Sequence, residues 1–510
     1  MTNDVDHGTV LRPLGYNEQY ELAQYTLDYH RGVSTACRYT IPKQLINRPD
    51  FEANLQDMIY GAIARVISNS PTLCAAIRDA ESKKPVWIHL ASVDLDDHVE
   101  WIKLEKFTNA DEVVQEKIRS EMDTRFAGLG TRPGWRVAVL QHVSNDVLDV
   151  VFTWNHAHTD GMGGKIFHDR LLKALVAEKE SEPKTRMRNG RKLDFTGVSK
   201  LFPPATESFV DLPTSAGFLL QQAWNETKPT SLFPNLSTAR WAPVLKEPYS
   251  TKFRTCIVDN VTLSGILKAC RDHKTTLTAL LHSLVLLSLA SQLDGSKARA
   301  FASLTAIDQR RFLPSNPPKY PRLDPNTTLA NYVTNTTHEF DVPFVAQIRS
   351  HIGKSHDERL STDQLDLVWS GASMVREDIE GRLTKGLKDD RLALMKFVPN
   401  ARALFEKEIR KPRALSWAIS NLGVLDGTVK GEVTAVRKGE EGWHIQRAQF
   451  TMSATVPDAA LLIAAVSLRG GEFVITCTWQ DKVVEDALAC RVVGHLKKWM
   501  EQIGSVGAVL

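Results

Sequence analysis

The chain has 510 residues, and its 63 lysines and arginines nearly balance its 60 aspartates and glutamates, for a formal net charge of +3. This length is too great for one ordinary hydrophobic core and predicts two or three domains. No basic block alternates with aromatic residues and the six cysteines lack paired spacing, so we expect no nucleic-acid partner, no zinc ribbon and no disulfide scaffold.

The spacing of apolar residues predicts alternating helices and strands in the first part of the chain. Helices are predicted at residues 16–28, 52–68, 107–126 and 165–177. Strands are predicted at residues 135–142 and 147–154, joined by a hairpin turn at Ser144-Asn145. The strand that ends at residue 154 runs directly into the richest motif of the chain.

A long connection follows, charged at residues 178–192 and rich in proline, serine, threonine and asparagine at 203–248. Beyond it, helices are predicted at 263–273, 276–292 and 483–494, with a proline-rich loop at 314–325. Strands are predicted at 253–258, 300–306, 329–334, 414–419 and 473–479. This mixed order favours an α/β fold of α+β layers in two lobes rather than a doubly wound nucleotide fold.

Domain boundaries follow from the connection. We expect a lobe at 1–200, a connection at 201–250 and a second lobe at 251–510. The sequence contains neither GxGxxG after a strand nor GxxxxGK[ST], so a dinucleotide site or a P-loop is not expected. The N-terminus lacks the apolar segment of a secretory signal, and the most apolar stretches, 277–293 and 459–468, are too short to span a bilayer. We therefore expect a cytoplasmic protein without a transmembrane segment.

Residues 150–164 read VVFTWNHAHTDGMGG and place ionisable side chains at the end of an apolar strand. The pattern HxxxD occurs twice, at His142 and at His156. The copy at His142 lies on the predicted hairpin and lacks a following glycine, so we expect it to be structural. The copy at His156 is followed by Asp160 and Gly161, and the glycine permits a tight turn.

Two chemistries fit this segment. His156, His158 and Asp160 resemble the HxHxDH signature of the metallo-β-lactamase fold and would form a zinc site. Against zinc, Gly161 stands where that signature has its next ligand, and no second ligand segment follows downstream. An acyl transfer needs only one neutral imidazole, His156, which deprotonates the acceptor and later protonates the leaving thiolate. Asp160 would then fix the loop through an arginine, with Arg310, Arg311 and Arg170 as candidates in that order.

His156-Ala-His-Thr-Asp160-Gly161 resembles the HxxxDG motif of the CoA-dependent acyltransferase superfamily, which includes chloramphenicol acetyltransferase, plant BAHD acyltransferases and condensation domains. The chain most resembles the fungal alcohol O-acetyltransferases. Four further segments carry the resemblance: Arg12-Pro-Leu-Gly15, Pro71-Thr-Leu73, Asn331-Tyr-Val333 and Ser420-Asn-Leu-Gly423.

The resemblance implies two chloramphenicol-acetyltransferase-like lobes with an active-site tunnel between them. It implies catalytic roles for His156, Asp160 and Gly161, and places Ser420 and Asn421 opposite the histidine as oxyanion or donor-side groups. Asn155 replaces the second histidine of condensation domains, and the plant motif DFGWG is absent, so neither subgroup is expected. His158 is a filler or lines the acceptor pocket.

The leading hypothesis is an O-acyltransferase that moves acetyl or another short acyl group from acyl-CoA to a hydroxyl of a small alcohol or natural product. It requires acetyl-CoA as co-substrate, no bound cofactor and no metal, and we expect a monomer. Three alternatives remain open: a different base-catalysed step such as isomerisation, elimination or cyclisation, a zinc hydrolase, and a catalytically silent binding module.

Overall fold

The computed structural model describes residues 8–105, 109–142, 146–177, 187–188, 191–195, 201–229, 232–352, 359–429 and 442–509. The elements of the first half of the described chain are β1 Val10–Pro13, α1 Tyr16–Thr26, β2 Val33–Thr40, α2 Lys43–Ile46, α3 Phe51–Ser68, β3 Ala75–Arg78, β4 Val86–His89, β5 Ser92–Asp94, β6 Val99–Leu104, α4 Ala110–Asp123, β7 Trp135–His142, β8 Val147–Trp154, α5 Gly161–Ala177, β9 Met187–Arg188, β10 Lys192–Asp194 and α6 Ala216–Thr227.

The second half is dominated by helices on one large sheet. Its elements are β11 Thr251–Val258, α7 Asn260–Asp272, α8 Leu277–Gln292, β12 Phe301–Asp308, β13 Val333–Phe340, α9 Val342–His351, α10 Thr362–Lys385, α11 Ala401–Glu408, β14 Trp417–Leu425, β15 His444–Met452, β16 Leu461–Leu468, β17 Phe473–Gln480 and α12 Asp486–Val509. The mixed α/β class expected from the sequence is confirmed.

Two sheets carry the architecture. The first has five strands in the order β15-β2-β8-β7-β6, and its buried face packs on α3 and α5. The second has six strands in the order β11-β17-β16-β14-β12-β13 and packs on α7, α8, α10 and α12. Strand β15 comes from the second half of the chain but pairs antiparallel with β2. Strand β15 thus lies beyond the predicted boundaries at residues 200 and 250 but belongs to the sheet of the first lobe, so both parts of the chain contribute strands to that sheet.

Most predicted elements are present. Strands β7 and β8 have the predicted bounds and pair antiparallel, while their turn at Ser144-Asn145 lies outside the described residues. The connection is more ordered than expected because it contains α6. The predicted strand at 329–334 was placed too early, since β13 begins at Val333.

The glycine-rich turn predicted after Asp160 is instead the first turn of α5. A Cβ on Gly163 would overlap the Thr159 side chain, and one on Gly164 would lie 2.5 Å from Trp154 Cη2. These glycines are therefore required by close packing of a helix against a strand rather than by a turn.

No single helix in the described ranges is both long and apolar enough to cross a membrane, and the one helix pair that passes by length and composition, α7 with α8, is bent by 95°.

Substitution Gly164→Ala tests the close packing of α5. The new methyl group would meet Trp154 and, at 2.7 Å, Thr35 Oγ1, so we expect the free energy of unfolding to fall by about 1–3 kcal/mol. Gly494→Ala in α12 is the matched control, because nothing lies within 4 Å of its new methyl group and helix propensity alone should add roughly 0.5–1 kcal/mol. Urea unfolding measures both, and equal stabilities of the two variants would contradict the packing argument.

Candidate active site

Residues 155–160 connect the central strand β8 to α5 and carry the motif. Backbone hydrogen bonds fix this loop: Asn155 N–H donates to Gly134 O at 2.8 Å, and His158 N–H donates to Asn155 O at 2.9 Å. The Trp154 indole N–H donates to Thr159 O at 2.9 Å. The loop therefore has a defined conformation before any substrate is considered.

Asp160 anchors the motif to the second half of the chain. Its carboxylate accepts from Arg310 Nη1 at 2.6 Å and from Tyr332 N–H at 2.9 Å, and it caps α5 through Gly163 N–H at 3.1 Å. The side chains of Arg310 and Asp160 are 1% and 3% exposed. Arg310 was the first of the three candidate arginines, and its pairing with Asp160 is confirmed.

Arg310 is fully coordinated. Besides Asp160 it contacts the Asp308 carboxylate at 3.0 Å and donates to the carbonyl oxygens of Pro325, Thr328 and Ala330. Burial alone would lower the pKa of the guanidinium, but the Asp160 carboxylate raises it above its usual value. Both charges are therefore retained in the interior.

His156 is half-buried and is held by Asn331 of the second half. Asn331 Nδ2 donates to the His156 carbonyl oxygen at 2.9 Å and lies 3.4 Å from Nδ1. No hydrogen bond joins Nε2 of His156 to another described residue. A histidine that acts as a base needs an unprotonated nitrogen. If Nε2 is that nitrogen, the proton lies on Nδ1, and the bond from Asn331 to the carbonyl oxygen still holds the residue.

A second histidine lies beside the first. The ring centroids of His30 and His156 are 5.9 Å apart. Burial, with a smaller contribution from His156, lowers the pKa of His30 from 6.5 to about 3. His30 is therefore uncharged at physiological pH, and its neutral ring lies beside that of His156. Glu21 on α1 is also near, since its pKa is raised by burial and lowered by His156.

His158 lies in the interior of the first lobe, only 1% exposed. Its Nε2 accepts from Gly134 N–H at 2.9 Å, and its ring meets Trp87 edge-on at 4.8 Å. Burial lowers its pKa from 6.5 to about 4. This placement favours the filler role over the acceptor-pocket role.

Gly161 faces the second half of the chain. A Cβ there would lie 2.7 Å from Leu422 Cδ2 and 3.1 Å from Phe450 Cζ. The missing side chain thus allows the start of α5 to pack against β14 and β15.

Ser420 and Asn421 are adjacent on β14, so strand alternation points them to opposite faces. Asn421 shares the face of Trp417 and Ile419, and its Nδ2 donates to Thr278 Oγ1 of α8 at 3.1 Å. Its Oδ1 accepts from Gly423 N–H at 2.9 Å, where the strand has an irregular register and Gly423 has φ of 69°. Ser420 lies on the other face.

The second HxxxD copy is part of a structural network. His142 Nε2 lies 2.7 Å from Asp149 Oδ2, and Asp149 also pairs with Arg38 at 3.0 Å. The histidine is 5% exposed and lies at the end of β7. It has an interior partner and no contact with the loop at 155–160.

The three residues of the zinc hypothesis have separate protein partners. His158 accepts from Gly134, Asp160 is bound by Arg310, and Asn331 contacts His156. Among the described residues, no group of three or more His, Cys, Asp or Glu side chains is arranged to hold a metal ion.

A cavity of about 220 Å³ lies beside the segment 324–329, in which the carbonyl oxygens of Pro325 and Thr328 accept hydrogen bonds from Arg310. It is lined by Ser70, Arg170, Phe202, Tyr320 and Thr328 among others, and His156 is not among its lining residues. Arg170 there donates to Ser70 Oγ at 2.7 Å and to the carbonyl oxygens of Asn69 and Thr327. We therefore locate the candidate chemistry at His156 and not in this cavity.

Sequence reasoning missed several residues of the site. Asn331 was noted only as part of a strand-end motif, and its contact with His156 connects the two halves. His30 and Glu21 carried no signal, because an isolated ionisable residue near a helix is usually exposed or structural.

Solved structures define the class of fold. The trichothecene 15-O-acetyltransferase TRI3 from Fusarium sporotrichioides aligns with a TM-score of 0.68 at 14% identity, over 96% of this chain and 94% of that one. The first condensation domain of the CDA synthetase aligns with a TM-score of 0.61 at 12% identity, over 98% and 97% of the two chains. The fold is therefore that of the acyltransferases and condensation domains, as expected from the sequence.

Sequence comparison gives the family. The profile of the alcohol acetyltransferase family matches residues 14–426. The probable alcohol acetyltransferase FCK4 of Fusarium pseudograminearum is 26% identical over 99% of this chain and 98% of that one. The probable alcohol acetyltransferase crmB of Aspergillus fumigatus is 23% identical over 96% and 99%. The chain belongs to the alcohol acetyltransferase family, and the protein is an acyltransferase.

Substitution Asp160→Asn tests the buried ion pair. It leaves the Arg310 guanidinium in the interior without its closest counter-charge, so we expect the free energy of unfolding to fall by about 3–5 kcal/mol. Arg311→Met is the matched control, because that neighbouring arginine is exposed and should change stability by less than about 0.5 kcal/mol. Denaturant unfolding distinguishes the two, and equal stability of Asp160→Asn and the wild type would contradict a structural role for the pair.

The buried histidines predict how stability depends on pH. Burial lowers the pKa of His168 from 6.5 to about 4, as it does for His158. As the pH falls below about 6.5, the unfolded chain takes up protons that the folded chain does not, so stability decreases toward pH 4 by up to about 1.4 kcal/mol per pH unit for each histidine.

Urea unfolding across this pH range measures the slope. His168→Gln should make the slope shallower by the contribution of one histidine. The exposed His351→Gln should leave it unchanged. A slope that His168→Gln does not alter would show that this histidine titrates normally in the folded protein.

Proposed function

We propose that this acyltransferase moves a short acyl group, in the simplest case acetyl, from acyl-CoA to a hydroxyl of a small alcohol or natural product. His156 is the general base. The observation that carries this proposal is the placement of His156, whose loop is fixed from both halves of the chain while Nε2 has no hydrogen-bond partner among the described residues. A fixed imidazole with one free nitrogen is what proton abstraction from an alcohol requires.

The reaction has two proton transfers and one bond exchange. Nε2 of His156 takes the proton of the acceptor hydroxyl as its oxygen attacks the thioester carbonyl carbon. The tetrahedral intermediate carries its negative charge on the former carbonyl oxygen. Its collapse breaks the carbon–sulfur bond, and the imidazolium protonates the CoA thiolate, which restores the neutral base.

Other residues position this base. Asp160 and Arg310 hold the loop and do not take part in proton transfer, because the carboxylate is already bound by Arg310 and two backbone amides. We assign Gly161 to close packing, which brings β14 near the motif. We assign the oxyanion or donor contact to Ser420, because Asn421 is bound to Thr278 and Gly423 on the other face.

The relatives support the acyl group and the acceptor class. Two are named probable alcohol acetyltransferases, and the solved structure with a TM-score of 0.68 is a trichothecene 15-O-acetyltransferase. The fungal origin of all three supports a natural-product hydroxyl of secondary metabolism as the acceptor.

Thiol release from acetyl-CoA with a panel of alcohols tests the proposal. We expect His156→Ala to lower kcat by about 10²–10⁴-fold, the usual contribution of a general base. His142→Ala is the matched control, since that histidine heads the other HxxxD copy, and we expect its folded fraction to retain acyl transfer. Turnover that survives His156→Ala would refute the assignment of the base.

Two further outcomes are informative. A folded wild-type protein that releases no thiol with any alcohol would contradict CoA-dependent acyl transfer and favour another base-catalysed step at His156. Release that depends on added zinc and is lost with a chelator would favour the zinc hypothesis.

A further inference from the structure

Four side chains on segments that meet beside His156 present hydrogen-bond acceptors, and we call them the carboxylate–amide cluster: Glu21, Gln24, Asn331 and Asp458. The ring of His30, just after α1, lies 5.9 Å from that of His156. Gln24 Nε2 donates to Glu21 Oε2 at 3.2 Å, and Asn331 Nδ2 donates to the His156 carbonyl oxygen at 2.9 Å. Val456 N–H donates to Tyr29 O at 3.0 Å, which brings the segment of Asp458 beside the end of α1, and the charges of Glu21 and Asp458 act on each other. The cluster combines α1, the strand entry at Asn331 and the segment after β15.

Two amide oxygens of the cluster have no donor. Gln24 and Asn331 are each 4% exposed, and in the described part of the chain neither Gln24 Oε1 nor Asn331 Oδ1 has a hydrogen-bond partner. Their orientations follow from their neighbours, because a carboxylate and a carbonyl oxygen can each face only the NH₂ end of an amide. A buried amide oxygen without a donor is costly, so these atoms indicate a ligand that supplies donors.

Both carboxyl groups are half-buried, and neither forms an ion pair within 4.0 Å with a described lysine, arginine or histidine. Arg413 and Arg391 act on the charge of Asp458 at longer range, and the Ala459 amide bonds its carboxylate. Of these two arginines, Arg413 has the larger charge interaction with Asp458. Its guanidinium donates to backbone carbonyl oxygens, including that of Asp458 at 2.8 Å, and not to the Asp458 carboxylate. Burial raises the pKa of both carboxyl groups. A bound hydroxyl or protonated amine would satisfy them.

We infer that the acceptor alcohol carries, besides the hydroxyl that is acylated, at least one further hydrogen-bond donor, a second hydroxyl or a protonated amine, which the carboxylate–amide cluster binds. This inference rests on the proposed acyl transfer and narrows its acceptor class from alcohols in general to polyols and amino alcohols. Glu21 is then a specificity-determining residue, because it is the carboxyl group of the cluster whose charge interacts with that of His156.

The test compares matched acceptors with acetyl-CoA as donor. The two reference acceptors are n-hexanol and cyclohexanol. Each is compared with a diol and with a tertiary amino alcohol of the same carbon skeleton, in which the second polar group is at the position farthest from the hydroxyl. A tertiary amine donates a hydrogen bond when protonated but gives no stable amide, so only the hydroxyl is scored. We expect kcat/KM to be about 10-fold or more higher for the donor-bearing member of each pair. The diol and the amino alcohol distinguish a neutral from a cationic second group.

Variants assign the preference to the cluster. Glu21→Gln and Asp458→Asn keep the side-chain shape and should each reduce that ratio to within about 3-fold, because a charged acceptor is lost. Glu501→Gln, exposed on α12, should leave the ratio unchanged. Thermal unfolding of each variant verifies that it is folded.

Three outcomes would overturn the inference. A wild-type enzyme that prefers the plain alcohols lacks the proposed subsite. A ratio that stays the same in Glu21→Gln while all acceptors slow equally places Glu21 with His156 rather than with the acceptor. Absence of thiol release with every acceptor contradicts acyl transfer itself and the inference with it, whereas release with an unselective ratio contradicts the inference alone.

Discussion

The buried pair of Asp160 and Arg310 is the interaction on which the site depends. Two charges in an interior cost more in lost hydration than they gain by attraction unless every remaining donor and acceptor is satisfied. Here the guanidinium has five partners and the carboxylate has three. The residues are 150 positions apart, so this arrangement exists only when the two halves are docked. The geometry of the His156 loop is thus conditional on the complete fold.

One pair of strands, β12 and β13, positions the residues of the second half that bind the His156 loop. Strands β12 and β13 pair antiparallel from Asp308 opposite Val333, and Gln309 N–H donates to Tyr332 O at 2.9 Å. This pairing brings Arg310, just after β12, beside Asn331 and Tyr332, just before β13. Arg310 and Tyr332 hold Asp160, while Asn331 holds His156. The strand pair β12–β13 at one edge of the large sheet therefore positions the residues that bind both His156 and Asp160.

The sequence predicts what depends on local pattern. Strands β7 and β8 are mostly apolar and are buried on both faces, interrupted near one end by Arg136 and Asp149, so their bounds can be predicted from the sequence. The motif at His156 and the arginine partner of Asp160 were also predicted, the latter because a buried charge is usually paired with an opposite charge.

The remainder depends on packing that no local pattern shows. Gly161, Gly163 and Gly164 indicate a turn by propensity, yet they lie in the first turn of α5. Their neighbours leave no room for a Cβ: Leu422 at Gly161, Thr159 at Gly163, and Trp154 and Thr35 at Gly164. Strand β13 was placed too early because Leu329 and Ala330 are apolar. Both are buried before the strand begins, and the Ala330 carbonyl oxygen accepts from Arg310. The strand itself lies at the edge of the sheet and consists mostly of polar residues. Glu21 and Asp458 are separated by most of the chain, so only the fold brings them together.

A second buried network shows how the large sheet keeps the orientation that the site needs. The Trp417 indole N–H donates to His282 Nδ1 at 2.9 Å, so His282 Nδ1 is an acceptor and its proton lies on Nε2, which donates to Thr305 Oγ1 at 2.8 Å. The Thr305 hydroxyl then donates to His338 Nε2, and His338 Nδ1 donates to Asp378 at the surface. Each bond sets the direction of the next, and burial lowers the pKa of His282, which favours the neutral ring that this direction requires. The chain of bonds connects α8 and α10 to β12, β13 and β14, the strands that carry Arg310, Asn331 and Ser420 at their ends or along their length. The strands whose ends contact His156 and Asp160 are therefore joined to one another by a directional polar network.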